Sequence, residues 1–381
     1  MNTVGIAAEY NPFTNGHKYH ISKCKNSRII AVMSGNFVQR AEPAFFDKHT
    51  RARLAIENGV DLVLELPVSF SVGSAEKFAY GCVYILNALG VCDQMCFGSE
   101  HGRIDEIEKT ADEVLEITHD ELKKELDKGV AFASARAKIL ENRGVLVPQN
   151  PNDILAVEYV KAIKKIGSKI RPITIERKGS YHGAEGEFYG ASAIRKMLLL
   201  NDLNVKSYIP ENVFESFYSL KEKGKAPASL KYAERAILAY LRTTSPQTLS
   251  NFYGISEGLE YRIKKAADES TSIEELYEKI KSKRYAMSAV RRAVLCAFLQ
   301  IEKTDRNPTY IRVLAQNNTG SQILKEAKIT STLPIIHKLS KIAQNDLFAQ
   351  KEIQTSNLYS LCLPEIQKSF LDLTACNYIK K

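Results

Sequence analysis

The chain has 381 residues, room for about two ordinary domains, and 44% of them are hydrophobic, 25% charged and 9% aromatic. That balance excludes a disordered chain and supports a sizeable core, and no apolar run approaches a membrane-spanning length. The formal charge of +9 is uneven: residues 201–381 hold 27 Lys and Arg against 19 Asp and Glu, a net of +8, whereas residues 1–200 hold 26 against 25, a net of +1. A polyanionic partner is therefore expected on the second half.

In chain order, Thr3 to Ala8 is short, apolar and β-branched, and reads as a buried strand. A polar, Gly-containing loop follows from Asn11 to Gly16, then a helix from about His17. Ile29 to Met33 is a second strand, followed by the loop Ser34-Gly35-Asn36. Asp47 to Asn58 is helical and ends at Gly59. Val60 to Leu66 is a third strand, stopped by Pro67; Ser74 to Leu89 is a helix closed by Gly90; Gln94 to Phe97 is a fourth strand. The pattern is helical from Asp105 to Glu141 and again from Asn152 to Ile166, and Lys169 to Ile175 reads as a last strand. Ser192 is placed to cap a helix from Ala193 to about Leu200. Strands alternating with helices of this length imply βαβ units and a parallel, Rossmann-like α/β sheet.

Beyond about residue 205 the pattern is mostly helical, with helices expected at Lys231–Leu241, Leu259–Ala267, Ser272–Lys281, Met287–Leu299 and Gly320–Lys328. This divides the chain into an α/β domain, 1–205, and a basic helical domain, 206–381. Of seven cysteines only Cys92 and Cys96 are close, a C-x3-C with no second pair and no nearby His ligand set. That spacing gives no reason to expect a metal site, and reduced thiols in a cytoplasmic protein fit best. The first residues, Met1 to Gly5, lack the basic and apolar stretches of a secretion signal.

The chemistry concentrates after the first strand, in Ala8-Glu9-Tyr10-Asn11-Pro12-Phe13-Thr14-Asn15-Gly16-His17. In a parallel sheet, ligands bind beyond the carboxyl ends of the strands. A loop there that opens a helix presents free N–H groups and a helix dipole to a phosphate. Gly16 permits close approach, Thr14 offers a hydroxyl, and His17 can donate to phosphate oxygens as pyrophosphate leaves. His20 lies one turn further along the same face. A turn bearing two surface histidines is the plainer reading of a lone Gly-His pair, but the position between strand and helix favours a nucleotide site.

The Thr14-Asn15-Gly16-His17 string resembles the signature of the HIGH-type nucleotidyltransferase superfamily. The longer run from Glu9 to His20 resembles, within it, the bacterial family of tRNA(Met) cytidine acetate ligases. The likeness continues through Met33–Pro43, Gly59–Pro67, Phe97–Glu100, Asn150–Leu155, Arg177 to His182 and Lys283–Tyr285. Thr14 departs from the His found in many members, but the superfamily uses both.

This resemblance implies that acetate and ATP form acetyl-adenylate and pyrophosphate. The acetyl group then passes to N4 of the wobble cytidine of elongator tRNA(Met), giving N4-acetylcytidine. It implies a catalytic role for Thr14, Gly16 and His17, and an ATP site made of Ala7, Ala8, Glu9, Tyr10, Asn11, Pro12, Phe13, Thr14, Asn15, Gly16, His17 and His20. Gly98, Asn152, Arg177, Lys178 and Ser192 would complete that site. Three of these have a plainer reading: a turn for Gly98, helix capping for Asn152, a solvated cation for Arg177. Mg²⁺ is expected to arrive on the nucleotide, since no acidic cluster is visible, with Glu9 able to hold a water on it. Lys281, Lys283, Arg284, Tyr285, Arg291 and Arg292 are the expected RNA-binding residues, or else a solvated basic face. The rival functions are a small-metabolite adenylyltransferase and a non-catalytic RNA-binding protein.

Overall fold

A computed structural model describes residues 1–24, 26–130, 132–145, 147–177, 188–303 and 306–380. Among the described residues eight strands form one sheet, seven of them in a single row: β1 (Thr3–Ala8), β2 (Arg28–Ser34), β3 (Leu62–Leu66), β4 (Gln94–Ser99), β5 (Arg171–Glu176), β6 (Ile311–Gln316) and β7 (Tyr378–Ile379). Their order is β7-β6-β3-β2-β1-β4-β5, and the short strand Ile335–Ile336 pairs beside β6. All neighbours are parallel except β3 and β6. In β1, β2 and β3 nearly every side chain is buried, as expected of strands covered on both faces.

Helices α1 (Asn15–Lys23), α2 (Lys48–Glu57), α3 (Ala75–Leu89), α4 (Pro151–Ile166) and α5 (Ala191–Leu199) connect or flank these strands. The start and stop signals act as the residues dictate. Asp47 caps α2 by accepting from the amides of His49 and Thr50, and Ser74 caps α3. Gly59 and Gly90 end these helices with φ of 108° and 77°, a region costly for other residues. The long helical stretch after Asp105 is three helices, Ile104–Glu116, His119–Leu126 and Phe132–Asn142. One expectation fails: Ser192 does not cap α5. The cap is Gly190, and Ser192 sits in the first turn, where its hydroxyl accepts from Arg40 at 2.9 Å.

The second half is helical from Glu211 to Phe298, and helices Glu234–Thr243, Leu259–Glu269, Ile273–Ile280 and Met287–Phe298 bury one another's apolar faces. That core also takes in Phe37, Val68 and Val72 from the first half. Strand β6 is not among the expected elements, and it brings the last seventy residues back to the sheet. Its run carries Arg312 in second place, which looks like a surface residue, yet Arg312 is only 1% exposed.

Arg312 is buried because it is paired. Its guanidinium donates to Glu65 of β3 at 2.8 Å and to Asp372 at 2.7 and 3.0 Å. Lys48 of α2 completes the cluster, 2.6 Å from both Glu65 and Asp372. Two cations against two carboxylates leave no uncompensated charge, the condition for burying any of them. Glu352 stands nearby, its carboxyl raised to about 8 by burial and by Glu65. Among the described residues no helix is long and apolar enough to cross a membrane.

Replacing Arg312 with Met strands Glu65 and Asp372 beside a single cation. We expect Arg312→Met to lose about 3–5 kcal/mol of stability. A urea midpoint unchanged from wild type would show that the cluster does not hold the C-terminal segment to the sheet.

Candidate active site

The site lies at the carboxyl ends of β1, β4 and β5. A cavity of about 410 Å³ opens there between the loop after β1, the start of α4 and the start of α5. Of the expected residues, Ala7, Glu9, Tyr10, Asn11, Thr14, Gly16, His17, His20, Gly98, Asn152, Arg177 and Ser192 line it. Ala8 lines a smaller neighbouring cavity of about 220 Å³. Phe13 is buried beneath the rings of Tyr10 and His17, 4.8 and 5.5 Å away. Asn15 faces outward and donates to the Ser207 carbonyl at 3.0 Å. Lys178 lies outside the described residues, as does the Tyr181-His182 stretch.

Thr14 and His17 form a reciprocal cap at the head of α1. The Thr14 hydroxyl accepts from the His17 amide at 3.3 Å, and the Thr14 amide donates to His17 Nδ1 at 3.0 Å. An imidazole nitrogen that accepts from a backbone N–H carries no proton. In the neutral ring the proton therefore sits on Nε2. Burial holds the ring neutral, lowering its pKa to about 3, with His20 and Arg177 adding to the shift. His17 is thus fixed as a neutral Nε2–H donor at the amino end of a helix.

The loop before α1 is braced from below. Tyr10 has φ of 47°, unusual for a side chain of its size. Asn11 accepts from the Phe45 amide through Oδ1 at 2.6 Å, and its carbonyl accepts from Arg195 at 2.8 Å. Arg51 of α2 donates to the carbonyls of Glu9, Phe46, Ser34 and Gly35. Glu9 is half-buried, and its carboxylate accepts from the Gln39 amide at 2.8 Å; desolvation nevertheless raises its pKa.

On the far wall, Glu100 is the organiser. Asn152 does not cap α4; Asn150 and Pro151 occupy that turn. Instead its amide donates to Glu100 at 2.8 Å, while Arg177 stands 3.6 Å from the same carboxylate. The space over Gly98 is filled by the Arg177 stem: a Cβ there would lie 3.0 Å from Arg177 Cγ. Gly98 therefore makes room for a side chain. Gly16 differs. A Cβ on it would meet only ordinary contacts, 3.5 Å from Thr14 Oγ1 and 3.9 Å from Phe188 Cβ. No described residue crowds that position, so its open side is the cavity.

Sequence reasoning missed the aromatic and basic rim: Tyr19, Arg40, Phe188 and Tyr189 also line the cavity. Arg40 was within reach, since it lies in the Met33–Pro43 stretch that carries the resemblance. The aromatic pair was not, because Phe188 reaches Tyr19, at 5.3 Å between ring centres, only through the fold.

The expected RNA residues lie apart from this cavity, on the helical half. Lys281, Lys283, Arg284 and Arg291 are exposed, although Arg284 pairs with Glu257 and the Arg291 guanidinium lies 5.7 Å from the Tyr277 ring. Tyr285 and Arg292 are half-buried and already engaged. Tyr285 donates to the Glu257 carbonyl at 3.2 Å, and Arg292 donates to the Val72 carbonyl at 3.2 Å.

A mostly parallel sheet with a capped Thr-x-Gly-His helix at its carboxyl edge defines a nucleotide-binding α/β protein of the nucleotidyltransferase class. Comparison with known proteins agrees. The HIGH Nucleotidyl Transferase family model matches residues 1–372, and the chain belongs to that family. It is 40% identical to a tRNA(Met) cytidine acetate ligase from Thermoanaerobacter sp. (strain X514), covering 98% of each chain. It is 36% identical to the enzyme of that name from Halothermothrix orenii, covering 97% of this chain and 96% of that one. Among solved structures, Thermotoga maritima TmcAL bound with alpha-thio ATP superposes with a TM-score of 0.90 at 32% identity, covering 100% of this chain and 99% of the other.

Two outcomes follow from the geometry. The His17 ring should show no titration by NMR between pH 5 and 8, the range in which an ordinary imidazole changes charge; a midpoint there would mean that the ring is hydrated and not locked. Gly16→Ala should leave the thermal midpoint unchanged while weakening ATP binding measured by calorimetry.

Proposed function

We propose that this chain is an ATP-dependent tRNA acetate ligase. It activates acetate as acetyl-adenylate and acetylates N4 of the wobble cytidine of elongator tRNA(Met). The observation that carries this reading is the Thr14–His17 cap at the head of the cavity, in a chain similar over its full length to tRNA(Met) cytidine acetate ligases.

The chemistry follows from the groups present. An acetate oxygen attacks the α-phosphorus of ATP, and pyrophosphate leaves. Negative charge builds on the departing oxygens, where the His17 Nε2–H and the amino end of α1 offer positive potential without a net charge. Because His17 is neutral, it donates without having to release a proton. Among the described residues, Arg40, Arg195 and Arg177, the last held by Glu100, bring full positive charges to the cavity. Acetyl-adenylate is then attacked at its carbonyl carbon by the cytidine N4 amine; AMP leaves, and the amine loses a proton.

MgATP is the form of the co-substrate. Among the described residues no group of three carboxylates or imidazoles stands at the phosphate end, and one Glu9 oxygen is taken by the Gln39 amide. The ion enters on the phosphates. Residues 1–205 provide the ATP and acetate sites, and the net positive helices beyond residue 206 form the surface for the tRNA, whose unstacked anticodon base enters the cavity. Lys281, Lys283, Arg284 and Arg291 are the exposed cations there. The Arg284–Glu257 pair has to open before that guanidinium can take a phosphate.

The test is ATP–pyrophosphate exchange with purified protein, Mg²⁺ and acetate, followed by mass spectrometry of tRNA nucleosides. Acetate-dependent exchange and N4-acetylcytidine on tRNA(Met) are expected. Exchange that is indifferent to acetate, with and without tRNA, would overturn the reading. His17→Ala should abolish exchange while leaving tRNA affinity intact. Lys283→Ala with Arg284→Ala should do the reverse, lowering the salt slope of tRNA binding by about two.

A further inference from the structure

Behind the nucleotide cavity, α1 faces β4 through three side chains that the reaction above does not use together. His20 is on the last turn of α1, and Cys24 is the residue that ends it, four positions further on. Cys96 stands opposite, on β4. His20 Nε2 is 3.2 Å from Cys96 Sγ, and the potential ligand atoms of all three lie within 4.8 Å of one another. Cys24 and Cys96 are 7% and 0% exposed, and neither is in a disulfide. Cys92, the other half of the C-x3-C, takes no part: its thiol donates to the Gln94 carbonyl at 3.2 Å.

We propose that His20, Cys24 and Cys96 bind a zinc ion. Two thiolates and an imidazole are a zinc donor set, and bonds of about 2.3 Å to sulfur and 2.0–2.1 Å to nitrogen place tetrahedral donors roughly 3.5–3.8 Å apart. The three donors are within about an ångström of that spacing, a distance that side-chain rotation covers. Binding releases two thiol protons to solvent. The resulting unit, Zn²⁺ with two thiolates and a neutral imidazole, carries no net charge, which is what burial at this depth requires. His20 also lines the nucleotide cavity, so the fourth position is open to a water from that side. The ion would pin α1, and with it the Thr14–His17 cap, to β4. This site is independent of the identity of the acyl group or its acceptor.

The test uses the full-length chain, expressed with zinc, freed of any tag and dialysed against metal-free buffer. Mass-spectrometric metal analysis should find about one zinc per chain in wild type, Cys92→Ser and Cys376→Ser, and at least a tenfold loss in Cys24→Ser and Cys96→Ser. Cobalt replacement should give a thiolate-to-metal charge-transfer band in the near ultraviolet that Cys24→Ser removes. Should Cys96→Ser fail to fold, Cys24→Ser, at the end of α1, carries the comparison. Equal zinc in wild type and Cys24→Ser would overturn the proposal, as would a cobalt complex without the thiolate band. A Cys24–Cys96 disulfide in metal-free protein purified without reductant would also overturn it, as the mark of a redox pair.

Discussion

Two cations on one helix hold the rest of the structure in register. Lys48 and Arg51 of α2 are both about 1% exposed, and an unpaired buried charge would expel itself from the fold. Lys48 is answered by Glu65 and Asp372, and through them by Arg312. Arg51 is answered by four main-chain carbonyls at the ends of β1 and β2 and in the segment leading to α2. The first set joins the C-terminal segment to the middle of the sheet. The second fixes the loop from Glu9, on which the nucleotide site is built. One helix thus ties together the fold's closure and the site's floor.

The site itself works by pre-arranged dipoles more than by mobile charge. Thr14 and His17 satisfy one another, which leaves the imidazole with a single free donor and a defined tautomer. The neighbouring cations, Arg40, Arg177 and Arg195, each hold a partner: Ser192, Glu100 and the Glu42 carboxylate. Groups held this way need little reorganisation as charge develops, the condition under which electrostatic stabilisation is most effective. The same partners explain why a region with so many cations is not simply repulsive.

The helical half contributes differently. Its positive charge is spread over exposed Lys and Arg side chains, whereas Arg292 is turned inward to the Val72 carbonyl at the junction with the α/β core. The shared apolar core that includes Phe37, Val68 and Val72 fixes this half against the α/β half.

Local sequence determined the strand and helix alternation, the capped helix after β1, the glycine stops at Gly59 and Gly90 and the basic bias of the second half. Each of these rests on near neighbours: hydrophobic runs, cap residues, positive-φ glycines and a charge count. The strand order, the entry of β6 with Arg312 buried near its start, and the turning of Asn152 toward Glu100 were decided only by the tertiary structure. So was the meeting of His20 and Cys24 with Cys96. In each case the deciding partner is distant in the chain: 247 residues separate Arg312 from Glu65, 52 separate Asn152 from Glu100 and 76 separate His20 from Cys96. A charged or polar residue reads as surface until the fold supplies the group that neutralises it, and that supply is a property of packing that no local window contains.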